Sequence, residues 1–302
     1  MTISVPQTPF QDGHAIPQLG YGVWQVEDEV AADVVGQAIR AGYRHIDTAA
    51  IYGNEAGVGR ALAAADVPRD EVFVTTKLWN ADQGYDSTLR AFDTSMGKLG
   101  LDVLDLYLIH WAMPFKKQYV PTWRAMIELQ RQGRIRSIGV SNFPEAELET
   151  LIEQTGVTPV IHQIELHPYL TQAPMRAVDA RHGIVTESWS PLGSGKGLLD
   201  DPILRTVASK HDATPAQVVL AWHRAHGLVV IPKSVTPQRI VENFASLDVQ
   251  LDEADLAMID RLNRDERTGP DPATMTFEGE ASLPRRVVGR LAREVRSRLP
   301  GR

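Results

Sequence analysis

Cysteine is absent from the 302 residues, which removes disulfides, thiolate nucleophiles and cysteine metal sites together. Its absence fits a reducing compartment, so a cytoplasmic location is expected. No apolar run approaches the ~20 residues needed to span a bilayer, and no membrane partner is expected. The opening stretch MTISVPQTPFQDGHAIPQLG has neither the basic start nor the apolar core of a secretory leader. Positive charge is not in surplus: the net charge is −7, which gives no support to nucleic acid as a partner. A dinucleotide fingerprint is also lacking, because Gly53, Gly57 and Gly59 have the wrong spacing for G-x-G-x-x-G. The stretch GSGKG (193–197) ends in glycine where a Walker loop needs Ser or Thr, with Ser190 in place of the first glycine. A flexible covering loop is the better reading.

What is present is a soluble composition, 43% hydrophobic and 23% charged, at a length ordinary for one α/β barrel. ISVPQTPF, a turn at Asp12-Gly13, and AIPQLG predict an N-terminal hairpin. Eight short apolar strands then alternate with amphipathic helices. The strands are predicted at 20–24, 43–47, 72–77, 103–110, 135–141, 161–165, 184–190 and 228–233. Helical stretches at 29–42, 87–100 and 122–133 end at Gly42, Gly100 and Gly133, as helix C-termini often do. Eight β-to-α alternations with near-continuously apolar strands predict a parallel sheet covered on both sides, and their number a closed barrel rather than an open sheet. The expected fold is a single (β/α)8 TIM barrel spanning residues 1–283, with extra C-terminal helices, one of them at 252–263. The remainder, 284–302, holds seven arginines and one glutamate with apolar residues at helical spacing, and reads as a basic, solvated or loosely docked helical tail. An acidic partner or anionic surface is the alternative reading of that tail.

In such a barrel the chemistry gathers where the strands end. The eight strands end in Trp24, Asp47, Lys77, His110, Ser141-Asn142, Gln163 with Glu165, Trp189-Ser190 and Lys233-Ser234. Each has a plain structural reading alone: Asp47 as a helix cap, Lys77 as a snorkelling surface lysine, His110 as a core histidine, Tyr52 as a rim aromatic. Polar groups on three consecutive strand ends argue for more. A tyrosine hydroxyl titrates near pH 10 and is a reluctant proton donor. A lysine cation beside it favours tyrosinate, and an aspartate keeps that lysine charged. A drop of ~3 pKa units requires about 4 kcal/mol, which a partly desolvated lysine contact can supply. A neutral histidine can then donate a hydrogen bond to a carbonyl oxygen. Lys233, Ser234, Thr236 and Arg239 gather two cations and two hydroxyls beside a helix starting near Pro237, a suitable anion site.

The segments GYRHIDTAAIYGNE (42–55), TTKLWN (75–80), DLYLIHW (105–111), IRSIGVSNF (135–143) and VIPKSVTPQRIVEN (230–243) closely resemble the aldo-keto reductases, nearest the small bacterial diketogluconate reductase-like members. The likeness runs in order from about Leu19 to Arg267. It implies an NADPH-dependent enzyme that reduces aldehydes and ketones to alcohols by direct hydride transfer, without a metal. It also implies that Asp47, Tyr52, Lys77 and His110 form the family's catalytic tetrad, with Tyr52 as the general acid. Ser141, Asn142 and Gln163 then match residues that hold the nicotinamide carboxamide, and Trp189 one that stacks on its ring. Ser190, Leu192 and Ser194 lie on the loop resembling the pyrophosphate clamp. Lys233, Ser234, Thr236 and Arg239 match the 2′-phosphate pocket, and Glu242 and Asn243 match contacts to adenine.

Trp24, Trp79, Trp111 and Phe115 are expected at the mouth of the substrate pocket, with His110 facing the substrate. Small aldehydes, dicarbonyls or keto-sugars are the expected substrates, and the resemblance implies a monomer. Three rival readings have concrete signatures. His45, His110, His162 and His167, with His45 and Asp47 forming H-x-D, invite a metal-dependent hydrolase, but Lys233 stands where barrel hydrolases often place an aspartate, and His45 and His162 read more simply as packing residues. A regulatory module that binds cofactor without turnover is a second. A Schiff-base lyase using Lys77 is the third, with Tyr52 and Asp47 fitting reduction better.

Overall fold

The computed structural model describes residues 5–279, so the basic tail assigned to 284–302 lies outside the described residues. Strands β1 (Gln7–Pro9) and β2 (Ala15–Pro17) pair antiparallel around the expected turn, where Asp12 accepts the backbone N–H of His14 at 3.0 Å. The hairpin is a floor. Its Phe10 and Ile16 pack against Leu106, Leu108, Ile161 and Val229 inside the barrel, each such burial being worth roughly 1.5–3 kcal/mol. Ser137 donates to Asp12 at 2.7 Å and ties the hairpin to the barrel wall.

Eight parallel strands form one sheet: β3 (Tyr21–Gly22), β4 (His45–Asp47), β5 (Phe73–Leu78), β6 (Leu104–Ile109), β7 (Ile135–Ser141), β8 (Ile161–Glu165), β9 (Val185–Trp189) and β10 (Val229–Val230). A parallel bridge between Leu19 and Val230 joins the first strand to the last. The bonds Gly20 N–H to Val230 O (2.8 Å) and Gly22 N–H to Pro232 O (3.1 Å) continue the seam. The sheet closes into the expected barrel. Its outer layer includes α1 (Asp28–Ala41), α2 (Glu55–Ala63), α3 (Tyr85–Leu99), α4 (Tyr119–Arg131), α5 (Glu145–Thr155), α6 (Ala173–Arg181), α7 (Pro202–Lys210), α8 (Pro215–Ala225) and α9 (Pro237–Phe244). The final described helix, α10 (Glu253–Asp260), is shorter than predicted and starts in a capping box of Asp252 and Asp255. Gly42 and Gly100 cap α1 and α3 in the left-handed region, as the sequence implied. No described helix is long and apolar enough to cross a membrane.

The first and eighth strands are much shorter than 20–24 and 228–233. Pro232 has no N–H to extend the ladder, and the chain after Gly22 turns away through Trp24 and Gln25, the latter at φ 56°. Elsewhere the two-residue strand period sorts side chains cleanly. On β6, Leu106 and Leu108 point into the barrel, whereas Tyr107 and Ile109 join the layer between strands and helices. Continued by two residues, the inward set reaches His110. The same alternation turns Asp47, Lys77, Gln163, Glu187 and Trp189 toward the interior, and the hairpin at the opposite end leaves one mouth open to them.

Candidate active site

At the centre of the mouth, the Lys77 ammonium donates to Asp47 Oδ1 at 2.5 Å and to the Thr48 carbonyl at 2.9 Å. Lys77 is fully buried and Asp47 is 1% exposed. The snorkelling reading of Lys77 is therefore wrong: period-two geometry points it inward, and a buried lysine needs a buried counter-charge. Asp47 is likewise no helix cap, since it is spent on Lys77 and on Gln163 Nε2 at 2.9 Å. Burial pushes the Asp47 carboxyl up and Lys77 pulls it back. Asp47 in turn holds Lys77 above the ordinary ammonium value against desolvation.

Tyr52 sits on a 3-10 turn, Ala50–Tyr52, directly after β4. Gly53 completes the turn at φ 68°, a conformation that a side chain would strain. Asn54 fixes the same loop: it donates to Val23 O and Val26 O at 2.9 and 2.8 Å and accepts from Thr48 at 2.8 Å. The Tyr52 ring centroid lies 5.1 Å from Lys77 Nζ and 5.8 Å from the His110 ring. The expected depression of the Tyr52 pKa is not found. Burial is the largest influence and raises it, while Lys77 opposes that rise. Burial also lowers the His110 pKa well below the usual imidazole value, with Lys77 adding to the effect. His110 is therefore neutral in this site.

The residues matched to the carboxamide do converge. Ser141 donates to the Gln163 main-chain carbonyl at 2.9 Å. Asn142, at φ 57°, donates to His110 O and Ser141 Oγ at 3.0 and 2.9 Å and accepts from the Trp189 indole at 2.9 Å. Gln163 Nε2 is shared between Asp47 and Glu187, at 2.9 and 2.8 Å. With both amide hydrogens so directed, the Gln163 side chain has only its Oε1 left for a ligand. Ser194 donates to Ser190 at 2.9 Å, both residues at φ near 50°, and Leu192 packs partly buried beside them. Lys196 anchors this loop to the Thr268 carbonyl at 2.8 Å, so GSGKG is tied at the rim.

Beyond β10, Lys233, Thr236 and Arg239 are exposed and Ser234 is partly so. Among the described residues neither cation has a carboxylate within ion-pair distance. They flank the start of α9, whose first residue is Pro237. Two unpaired cations, hydroxyls and a helix N-terminus suit a dianionic phosphate. The adenine assignments fare less simply, since Glu242 already accepts from Thr214 at 2.8 Å and Asn243 is 4% exposed.

Trp79, Trp111, Met113 and Met275 form one buried cluster at the mouth, joined by Ile51 and Trp189. Trp79 meets His110 edge-on at 5.4 Å, and Trp111 lies nearly parallel to it at 6.4 Å. Trp24 and Phe115 lie outside this buried cluster, 47% and 55% exposed. His162 is structural, bonded to Asp179 and to the Phe143 N–H at 2.9 and 3.1 Å. His45 is held at Thr75, 3.1 Å away, with its pKa lowered to about 3 by burial and then by Lys77. Donor atoms of His45, Asp47 and Glu187 come within 4.8 Å of one another, but the Lys77 ammonium already supplies the positive charge there.

Two features escaped the sequence reading. One is Glu187, whose inward direction follows from its spacing to Trp189. The other is the set of contacts that hold the segment 267–279 across the mouth. Glu165 accepts from the Thr268 hydroxyl and N–H, both at 2.5 Å, and from Gly269. Asn80 donates to Phe277 O at 2.9 Å, and Lys116 pairs with Glu278 at 2.9 Å. No periodicity announces such a loop, and only the buried carboxylate at the end of β8 hinted at a partner.

Comparison with known proteins bears on this arrangement. The family model described as "Aldo/keto reductase family" matches residues 17–264. An aldo-keto reductase of Mycolicibacterium smegmatis is 53% identical over 91% of this chain and 99% of its own length. The methylglyoxal reductase DkgA of Escherichia coli is 53% identical over 87% of this chain and 95% of its own. The crystal structure of a mutant of Gox0644 in complex with NADPH superposes with a TM-score of 0.88, at 49% identity, covering 91% of this chain and all of that one.

Proposed function

The chain belongs to the aldo/keto reductase family and is an NADPH-dependent carbonyl oxidoreductase, and from that premise we propose that it reduces small aldehydes and dicarbonyls of the methylglyoxal type, with Tyr52 as proton donor. The observation that carries the reading is the fully buried Asp47–Lys77 pair beside Tyr52 and a neutral His110. Support for the substrate class comes from the Escherichia coli methylglyoxal reductase, similar over most of both chains.

In this reading a bound NADPH would provide the hydride for the carbonyl carbon. Ser141, Asn142 and Gln163 Oε1 would hold its carboxamide, Trp189 its ring, Ser190, Leu192 and Ser194 its pyrophosphate, and Lys233, Ser234, Thr236 and Arg239 its 2′-phosphate. Because burial keeps the Tyr52 hydroxyl protonated, that group is a donor at neutral pH. Lys77 stabilises the negative charge that appears on Tyr52 as the proton leaves, and Asp47 keeps Lys77 charged and fixed. Neutral His110 donates to the carbonyl oxygen and orients it. Trp79, Trp111, Met113 and Met275 exclude water from the reacting face. The setting we assign is the cytoplasm, with the enzyme acting as a monomer on residues 1–283.

The decisive test is NADPH oxidation with methylglyoxal, run beside Tyr52→Phe. Loss of turnover with retained NADPH binding supports the assignment, and equal turnover sinks it.

A further inference from the structure

Beneath the tetrad lies a second carboxyl group that the roles assigned so far do not use. Glu187 is on β9, fully buried, with Val229 as its register neighbour on β10. The titratable groups facing it are Asp47 and His45 of β4, Lys77 of β5, and Tyr52 just beyond β4. Gln163 of β8 bridges the two acids, giving one amide hydrogen to Asp47 Oδ2 and the other to Glu187 Oε2. Glu187 Oε1 has no hydrogen-bond partner among the described residues, and its nearest basic neighbour, His45 Nε2, is 3.8 Å away.

We propose that Glu187 is a positioning residue for the reduction: as a neutral acid it fixes Gln163 and leaves Lys77 free to stabilise Tyr52, and its ionisation weakens Tyr52 as a proton donor. The charge count in this dry pocket leads there. Lys77 brings one positive charge, Asp47 takes it through a direct bond, and His45 is neutral. A second carboxylate would stand uncompensated, with one oxygen bare, a costly state in a buried site. The pKa of Glu187 is accordingly pushed up to about 8 by burial and then by Asp47, against the pull of Gln163 and Lys77. Once ionised, Glu187 raises the cost of placing negative charge on Tyr52.

This inference rests on Tyr52 being the donor, and the experiment keeps the two apart. The kcat for carbonyl reduction is measured across neutral to alkaline pH in wild type, Glu187→Gln, Glu187→Leu and Tyr52→Phe. Glutamine copies the neutral acid in shape and polarity. Wild-type kcat should fall about tenfold between about pH 7 and pH 9 if ionised Glu187 disables donation. Glu187→Gln should keep neutral-pH turnover and lose that limb, whereas Glu187→Leu, which cannot hold Gln163, should lower kcat throughout. An unchanged limb in Glu187→Gln, with Tyr52→Phe inactive, overturns the role of Glu187 and leaves Tyr52 standing. An active Tyr52→Phe overturns the donor reading itself.

If Glu187→Gln does not fold, the wild-type limb is measured at two temperatures. A carboxyl ionises with almost no enthalpy, so a limb that stays in place supports the proposal. A limb that moves as a phenol or ammonium would move overturns it.

Discussion

The two charged regions of the mouth are built on opposite terms. At its centre, Asp47, Lys77, Gln163 and Glu187 are all buried and bonded to one another. At its edge, Lys233 and Arg239 are exposed, although local burial lowers the pKa of the Lys233 ammonium, and neither has a described carboxylate partner. Charges in a dry interior act strongly on whatever lies beside them, but must be paired to be tolerated. Charges in water act weakly, and are free to meet a partner that arrives from solution. The centre is therefore suited to setting rate, and the edge to selecting and holding an anionic ligand.

The sharpest way to break this contrast is at the centre. Tyr52→Phe should lower kcat by about 10³-fold, the middle of the range for a lost general acid, with NADPH affinity within about twofold. Stopped-flow single turnovers and fluorescence titration with NADPH would separate the two effects. Asp47→Leu should be the most damaging to the fold, because it strands the Lys77 ammonium in the interior. Breaking one partner of a buried pair costs about 3–5 kcal/mol, readable as a lower urea midpoint. Removing both charges, as Asp47→Leu with Lys77→Met, should recover much of that loss without recovering activity.

The edge should answer in affinity alone. Arg239→Ala should weaken NADPH about tenfold, the loss of one charge-assisted contact. It should leave NADH nearly unchanged, and the NADPH effect should shrink as salt rises. A kcat effect larger than the Kd effect would mean that the two regions are not separable.

A smaller effect concerns acid. His45 and His223 titrate near 3 and 4 in the fold, both chiefly because burial disfavours the cation, and burial likewise keeps His110 neutral. These groups bind fewer protons folded than unfolded, so each contributes stability above about pH 6.5 that is lost as pH falls toward its folded value. The slope is about 1.4 kcal/mol per pH unit for each histidine. Glu187, raised rather than lowered, works the other way and removes part of that slope. Urea midpoints at neutral and mildly acidic pH test the sign, and an unchanged or rising midpoint on acidification would contradict it.

How far the sequence carried the argument depended on the kind of signal each residue leaves. Strand periodicity and helix-ending glycines made the barrel legible, and strand ends led to Asp47, Lys77 and His110. Trp24 does not end its strand, because β3 stops at Gly22, a boundary that pattern alone does not mark. Phe115 lies on a loop, where nothing in the pattern says which way a side chain faces. The direction of the Tyr52 pKa was misjudged for a different reason: a neighbouring lysine is visible in the strand ends, but the depth of burial that outweighs it is a tertiary property. Glu187 was legible in principle, two residues before Trp189 on the same strand, yet it reads as an ordinary acid until the barrel closes around it. Glu165 and the loop it holds, 267–279, are a pairing across a hundred residues that no local pattern records.

The hairpin that floors the barrel has a last consequence, concerning traffic. With Phe10 and Ile16 filling one end, both reactants enter and leave by the same door. Whichever of them lies deeper must come in first and go out last. A chamber with a single doorway enforces a queue, and the order of arrival and departure is thereby built into the architecture before any affinity is considered.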